Sequence, residues 1–386
     1  MGMLLHIRRT LPYFRGSLRT CTCTTLPGVI RTCSTLLTDS KGGLVLYSQS
    51  TNVYENLSLE DWIEANVDLQ DRNILLLWRN MPAVVIGRHQ NPWKECNLSL
   101  IRRLGISLAR RRSGGGTVFH DLGNLNLTFF ASKKGYNRQR NLKVITEALR
   151  QLRPELEVAA TERFDIFLKG HFKITGSASR ISRKSSYHHC TLLHSADHDA
   201  LSPVLRSSCK GVHSNATPSV PSPVANLVDH DPTITWEALL DALAHQYSSE
   251  FGGSAVMNLV NPADDAAFPG LNSTSTELRG WDWIFGKTPK FSIQTRLKIT
   301  DDLSSAGRTV ELSLEVKHGV IENCRLDVPP DWLPHHLSSE LSDVLEGERF
   351  CPQHTAAAFA MLLHCENGET QKRLHRLCDA ILAVMG

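Results

Sequence analysis

From residue 41 onward the apolar positions follow two rhythms. Leu125, Leu127 and Phe129 alternate with Asn126 and Thr128, the period of two that marks a strand. Residues 44–47 read as a short strand. Residues 74–78 and 83–86 are unbroken apolar runs separated by Asn80-Met81-Pro82, which predicts two buried strands joined by a turn. Leu142, Ile145, Leu149 and Leu152 recur at helical spacing and stop at Pro154, predicting a helix with one buried face. A helix over 53–65 follows the cap candidates Ser50, Thr51 and Asn52, and Trp236, Leu239, Leu240, Leu243 and Tyr247 mark another. Residues 164–168 and 171–175 flank Lys169-Gly170, the pattern of a hairpin with a two-residue turn. Residues 202–223, rich in Ser and Pro, read as a long loop.

After Asn261-Pro262 the texture changes. Strand patterns at 291–299, 309–316 and 320–326 precede helical patterns at 337–345, 356–363 and 374–384. Strands followed by helices predict a small α+β domain of their own. The expected division is therefore 1–38, 39–262 and 263–386.

Charge sets the first segment apart. No acidic residue occurs before Asp39, while Arg8, Arg9, Arg15, Arg19 and Arg31 and ten Ser or Thr do. That composition, without the apolar core of a secretory signal, predicts an organelle transit peptide and import into the mitochondrial matrix. The net charge of +3 belongs to this segment: removing its five arginines leaves Lys+Arg at 37 against Asp+Glu at 39. A slightly acidic body gives no electrostatic footprint for nucleic acid. The 41% hydrophobic content excludes wholesale disorder, and no apolar run approaches a membrane span. The ten cysteines include no C-x-x-C pair.

Three segments carry candidate chemistry. The first runs Arg110-Arg111-Arg112-Ser113-Gly114-Gly115-Gly116-Thr117-Val118-Phe119-His120-Asp121. Glycines let the backbone approach a ligand and aim amides at an anion, yet no Gly-Lys-[Ser/Thr] closes a P-loop and no third glycine completes a dinucleotide fingerprint. In the second, Lys173 follows the Lys169-Gly170 turn and precedes Gly176-Ser177-Ala178-Ser179, read as a small-residue turn, with Arg163 and Asp165 expected nearby. A cation held there can offset charge developing in a transition state. The third is Tyr187-His188-His189-Cys190-Thr191-Leu192-Leu193. Adjacent strand residues face opposite sides, so His188 and His189 do not readily share an ion, and no metal is expected.

In this order, these segments resemble the lipoate–protein ligase A and lipoyltransferase family. Its R-R-x-S-G-G-G-[AT]-V-x-H-D-x-G-N block is similar to residues 111–124, its K-[IV]-[ST]-G-[ST]-A block to 173–178, and its H-H-G-T-L-L block to 188–193 with Cys190 in the glycine's place. Arg163-Phe164-Asp165 resembles its R-N-D element, Gly87 to Trp93 its G-[RK]-x-Q-N-[PA] loop, and 281–289 the opening of its accessory domain. The resemblance implies an α+β fold: a mixed-sheet catalytic domain like that of biotin and lipoate ligases, plus a smaller C-terminal domain. It implies lipoyl-AMP as substrate or intermediate, with no tightly bound cofactor. Lys173 is then the catalytic candidate. Arg112, Ser113, Gly114, Gly115, Gly116, Thr117, Phe119, His120, Arg163, Gly176, His189, Thr191, Thr217 and Ser219 are expected to bind lipoyl-AMP, with the 215–219 loop over the nucleotide. Implied partners are lipoyl domains of 2-oxoacid dehydrogenase E2 subunits and the H protein of glycine cleavage, with neither nucleic acid nor membrane.

One departure bears on the reaction. Where the ligases carry arginine after the histidine block, this chain has proline within Ser219-Val220-Pro221-Ser222-Pro223. Losing a cation there favours transfer of a lipoyl or octanoyl group from an activated donor. The alternatives are a complete ATP-dependent lipoate ligase and a non-catalytic lipoyl-domain-binding module.

Overall fold

A computed structural model describes residues 42–301, 304–363 and 368–386. The predicted transit peptide lies outside the described residues. Among the described residues sixteen strands form four sheets. The largest has six strands in the order β10-β11-β6-β2-β1-β13: β1 (Gly42–Ser48), β2 (Arg72–Trp78), β6 (Asn124–Ser132), β10 (Ser177–Ile181), β11 (Ser185–Leu193) and β13 (Gly253–Val260). It is mixed, with β1 parallel to β2 and β13 and the remaining pairs antiparallel.

Both faces of this sheet are covered, which explains its unbroken apolar runs. Leu75, Leu77, Leu125, Leu127 and Phe129 pack against helices α1 (Arg138–Leu152) and α2 (Trp236–Phe251). Leu44, Leu46, Ile74, Leu76 and Trp78 pack on the other face with the Val53–Asn66 and Leu271–Arg279 helices. Asn52 caps the first of these by accepting from the Tyr54 and Glu55 amides, and Thr235 caps α2.

The predicted strands at 74–78 and 83–86 do not pair with each other. The second is β3 (Ala83–Ile86), centre of a three-stranded sheet between β4 (Ser107–Arg110) and β5 (Val118–His120). A third sheet, β7 (Val158–Ala160), β8 (Ile166–Leu168) and β9 (Phe172–Thr175), contains the predicted hairpin. Its turn takes three residues rather than two: Leu168 pairs with Phe172, and both Lys169 and Gly170 have positive φ. Residues 177–179 begin the edge strand β10 instead of forming a turn.

The C-terminal sheet runs β12-β14-β15-β16: β12 (Val212–Ser214), β14 (Phe291–Asp301), β15 (Ser304–Lys317) and β16 (Val320–Asp327). Helices His335–Leu345, Pro352–Leu363 and Gly368–Val384 follow, as the apolar pattern predicts. Two observations bear on the expected boundary at 262. β12 comes from within the segment read as a long loop, yet pairs with β14. Residues Leu271, Leu278 and Trp283 pack with the large sheet, and Trp93 packs against Phe285, Phe291 and Phe350 at 5.1, 5.2 and 5.3 Å between ring centroids. No helix of the described residues is long and apolar enough to cross a membrane.

Arg110 fastens these parts together. Fully buried, it donates to the carbonyls of Gly87, Arg88, Gln90, Trp283 and Ile284 and to the Thr288 hydroxyl. Arg110→Leu removes a donor from five carbonyls, of which Gly87 alone keeps a second donor, the Gln90 amide, and is expected to destabilise the protein by about 3 kcal/mol or more in urea unfolding. Lysine, lacking the planar fork, should restore no more than about half of that loss.

Candidate active site

The glycine-rich segment connects β4 to β5, and its shape is set by Arg111. Almost wholly buried, this side chain donates to the carbonyls of Val85, Gly114 and Gly116 at 3.1, 2.7 and 2.6 Å and to Ser113 Oγ at 3.0 Å. Burial lowers its pKa to about 10, so it remains cationic at neutral pH. Gly115 has φ +88, and a Cβ on Gly87 would lie 2.1 Å from the Gly115 carbonyl oxygen. Gly114 has open space around it.

Arg112 turns away. It donates to Asp61 at 2.6 Å and Glu277 at 3.0 Å, with its guanidinium 4.4 Å from the Trp283 ring centre. Burial pushes Asp61 up to about 7 against the pull of Arg112. The guanidiniums of Arg112 and, at 3.4 Å, Arg180 favour its ionised form.

Strand β11 separates its two histidines as the alternation requires. His189 lies between Glu60 Oε1 at 3.0 Å and Ser113 Oγ at 2.8 Å. His188 stacks on Phe129 on the opposite face, 3.3 Å from Asn141 Nδ2, and burial drives its pKa well down. The Cys190 sulfur is 3.6 Å from His188 Nε2 and belongs to the buried core. Burial raises its pKa, which keeps it a protonated thiol rather than a nucleophile. Among the described residues no group of three or more His, Cys, Asp or Glu is gathered as a metal site.

These elements enclose a cavity of about 370 Å³. Its most deeply buried lining residues include Leu57, Trp78, Val85, His120, Asn126 and Cys190, each at most 3% exposed. Its open end carries Arg163, Asp165, Lys173 and Val220. A second cavity of about 430 Å³ shares Thr117, Lys173, Gly176, Thr191 and Ser219 with the first and adds Glu95 and Arg206. Lys173 thus stands where the two meet. Its Nζ is 3.0 Å from Asp165 Oδ1, and its Cε passes so close to Gly176 that a Cβ there would lie 3.3 Å away. Thr191 Oγ1 accepts from the Gly176 amide at 3.1 Å.

The segment after β12 roofs both cavities. Ser219 Oγ accepts from the Thr117 amide at 2.9 Å and from Gln90 Nε2 at 3.0 Å, and donates to the Glu95 carboxylate. Gln90 Oε1 also receives the Gly87 amide and the Thr117 hydroxyl, at 2.8 Å each.

Of the residues singled out in the sequence, Gly115, Gly116, Thr117, His120, Arg163, Lys173, Gly176, His189, Thr191, Thr217 and Ser219 line the first cavity, and Phe119 lines the second. Arg112, Ser113 and Gly114 line neither. Sequence reasoning missed Gln90, Glu95, Arg111 as the loop's support, and Arg206. Gln90 and Glu95 sat in or beside a recognisable block, while Arg206 had no signal.

A cavity that runs from buried side chains such as Leu57, Trp78 and Val85 to a lysine, with a polar loop along it, suits an enzyme that handles a long acyl group. The family profile for the lipoyl protein ligase A/B catalytic domain matches residues 52–248, and the chain belongs to that family. It is an acyltransferase of lipoyl groups. It is 48% identical over 347 residues to the mitochondrial lipoyl amidotransferase LIPT1 of Homo sapiens, covering 89% of this chain and 92% of that protein. Lipoate-protein ligase A of Psychrobacter cryohalolentis is 36% identical over 72% of this chain and 80% of its own length. The crystal structure of P. falciparum LipL1 in complex with lipoate superposes with a TM-score of 0.55 at 27% identity, covering 88% of this chain and 99% of that one.

Two predictions follow from this geometry. Gly87→Ala should lower the acyl-transfer rate at least about tenfold, because its Cβ meets backbone, whereas Gly114→Ala should stay within about 0.5 kcal/mol of wild-type stability. In His120, burial first, then Arg111 and His189, lower the pKa to about 3 from 6.5. A depressed histidine contributes stability above pH 6.5 that is lost as pH falls towards 3. Over that window His120→Gln should flatten the pH dependence of unfolding by about 1.4 kcal/mol per pH unit.

Proposed function

We propose that the acyl chain of lipoyl-AMP fills the closed cavity, that its nucleotide occupies the second, and that Lys173 attends the mixed anhydride between them. The observation that carries this reading is the position of Lys173 Nζ at the junction of the two chambers, held 3.0 Å from Asp165. The ε-amine of a lysine on a lipoyl domain enters past Arg163 and attacks the acyl carbonyl. A C–N bond forms, the acyl C–O bond to phosphate breaks, AMP leaves, and the amine loses a proton to solvent. The Lys173 ammonium offsets charge on the carbonyl and phosphate oxygens as it develops. The roof of residues 215–223 keeps water from the anhydride.

The acceptors are lipoyl domains of 2-oxoacid dehydrogenase E2 subunits. The donor is either free lipoyl-AMP or the lipoylated H protein of glycine cleavage. Glu95 in the second chamber argues against a triphosphate there, since it adds negative charge and Arg206 is the chamber's one cation besides Lys173. The acid-free N-terminus and the mitochondrial relatives support action in the matrix.

The test offers residues 39–386 an unmodified E2 lipoyl domain with lipoate plus ATP, lipoyl-AMP, or lipoylated H protein in separate reactions. Lipoyl-AMP or H protein should support modification, and lipoate plus ATP should not. Lys173→Ala should slow transfer from lipoyl-AMP by about 10²–10³-fold, the scale for losing one preorganised electrostatic contact. Full activity of that variant would refute the role of Lys173. Binding without transfer from any donor would leave the non-catalytic module.

A further inference from the structure

Strand alternation turns Trp78 of β2, Thr128 of β6 and His189 of β11 onto one face of the six-stranded sheet. Thr128 stands directly opposite His189 across the β6–β11 pair. Apolar side chains, Leu44, Leu46, Ile74 and Leu76, are buried on the same face. Into it the Val53–Asn66 helix lowers a carboxylate, Glu60, which is 1% exposed. Burying a charge on such a face costs stability unless its hydrogen bonds are returned.

Two donors return them, and both reach the same oxygen. Thr128 Oγ1 lies 2.5 Å and His189 Nδ1 3.0 Å from Glu60 Oε1. The direction of each bond follows from what stands behind it. Trp78 Nε1 can only donate, and does so to Thr128 Oγ1 at 2.9 Å, which leaves the threonine hydroxyl proton for Glu60. Arg111 Nε donates to Ser113 Oγ at 3.0 Å, so the serine proton goes to His189 Nε2 at 2.8 Å. In the neutral imidazole Nδ1 then carries the proton that meets the carboxylate.

Two hydrogen-bonded chains thus end on one carboxylate oxygen. One comes from the Trp78 indole, the other from Ser113 at the start of the glycine-rich loop. Trp78 and His189 line the first cavity, whereas Glu60 and Thr128 line neither cavity. The two walls belong to different sheets, and Glu60 holds them from a helix behind both. An aliphatic residue at position 60 would pack on the same face but leave the threonine hydroxyl and the imidazole N–H without their acceptor. The indole and the serine would each lose a fixed support.

We propose that Glu60 is a positioning residue for the acyl donor: without lining the cavity, it fixes Trp78 and the His189–Ser113 edge of the glycine-rich loop against each other. The proposal rests on the reading that lipoyl-AMP places its acyl chain in this cavity, and it adds the group outside the cavity that holds the walls.

Transfer from lipoyl-AMP to an E2 lipoyl domain, with a KM for each substrate, is the first arm of the test. Glu60→Leu should raise the KM for lipoyl-AMP about tenfold, the scale of one buried hydrogen bond, and leave the KM for the lipoyl domain unchanged. A loss of folded protein alone would lower kcat and leave both KM values as they are. Thr128→Val keeps the side chain's shape, cuts only the indole arm, and should raise the KM for lipoyl-AMP about threefold. Glu60→Gln, which keeps an oxygen in place, should recover most of the loss. The second arm follows exchange of the Trp78 indole proton by NMR of isotope-labelled tryptophan, the signal being assigned through Trp78→Phe. Exchange should quicken at least about tenfold in Glu60→Leu and Thr128→Val and stay slow in Glu60→Gln. A wild-type KM for lipoyl-AMP in both Glu60→Leu and Thr128→Val overturns the proposal. A Glu60→Gln no better than Glu60→Leu overturns it equally. If the indole responses hold while lipoyl-AMP modifies no acceptor, the positioning stands and the transfer reading alone falls.

Discussion

The buried guanidiniums of Arg110 and Arg111 govern the arrangement of everything around the cavities. Neither has a carboxylate at ion-pair distance among the described residues, and desolvation lowers both pKa values to about 10. Taking a cation out of water costs several kcal/mol unless the surroundings return its hydrogen bonds. Here backbone carbonyls do so. Arg110 ends β4 and Arg111 follows it directly, its amide still bonded to the Ile86 carbonyl at 3.0 Å, so the two side chains serve opposite faces. Arg110 gathers the 87–90 turn and the 283–288 segment, while Arg111 gathers the glycine-rich loop. The carbonyls they bind must stay where they are, which fixes both the floor of the cavities and the seating of the C-terminal part.

That constraint explains why the site was legible in the sequence only in part. The strands and helices were readable because a sheet covered on both faces demands runs such as Ile74 to Trp78, and a helix with one buried face demands the spacing of Leu142, Ile145 and Leu149. The blocks around Gly114 and Lys173 pointed to the right neighbourhood. Which arginine does what was not readable. In a run of three, periodicity cannot tell the one that supports the loop from the one that pairs with Asp61 and Glu277. The edge strand at 177–181 was hidden for a related reason: its small residues look like a turn, yet Ala178 is small because Gly115 passes close by. β12 is three residues long and pairs with a strand some eighty positions later, so no local pattern announces it.

The cavities also show how polar groups are kept silent. His120 and His188 are neutral, and Cys190 is a protonated thiol, each because burial disfavours its charged or reactive form. The charged groups that line the first cavity include the ion pair of Lys173 and Asp165, together with Arg163. Cys190 adds side-chain volume on the core face of β11 and supplies no second nucleophile.

Shielding an anhydride while admitting a lysine requires a roof that is anchored yet incomplete. The segment before it, β12, is held by the C-terminal sheet through Val212–Ile293 and Ser214–Phe291. The segment after it is held by Lys173 itself, whose amide donates to the Pro223 carbonyl at 2.9 Å and whose carbonyl accepts from Ala225 at 3.3 Å. Between these anchors Ser219 ties the roof to the glycine-rich loop and to Glu95. Pro223 has a structural part in this anchoring. Its ring leaves no N–H to be satisfied, while its carbonyl takes the amide of the catalytic candidate, so the roof and the lysine share one backbone ladder. A chain that received its acyl group already activated would need this fixed roof more than it would need a further charge to hold a departing pyrophosphate.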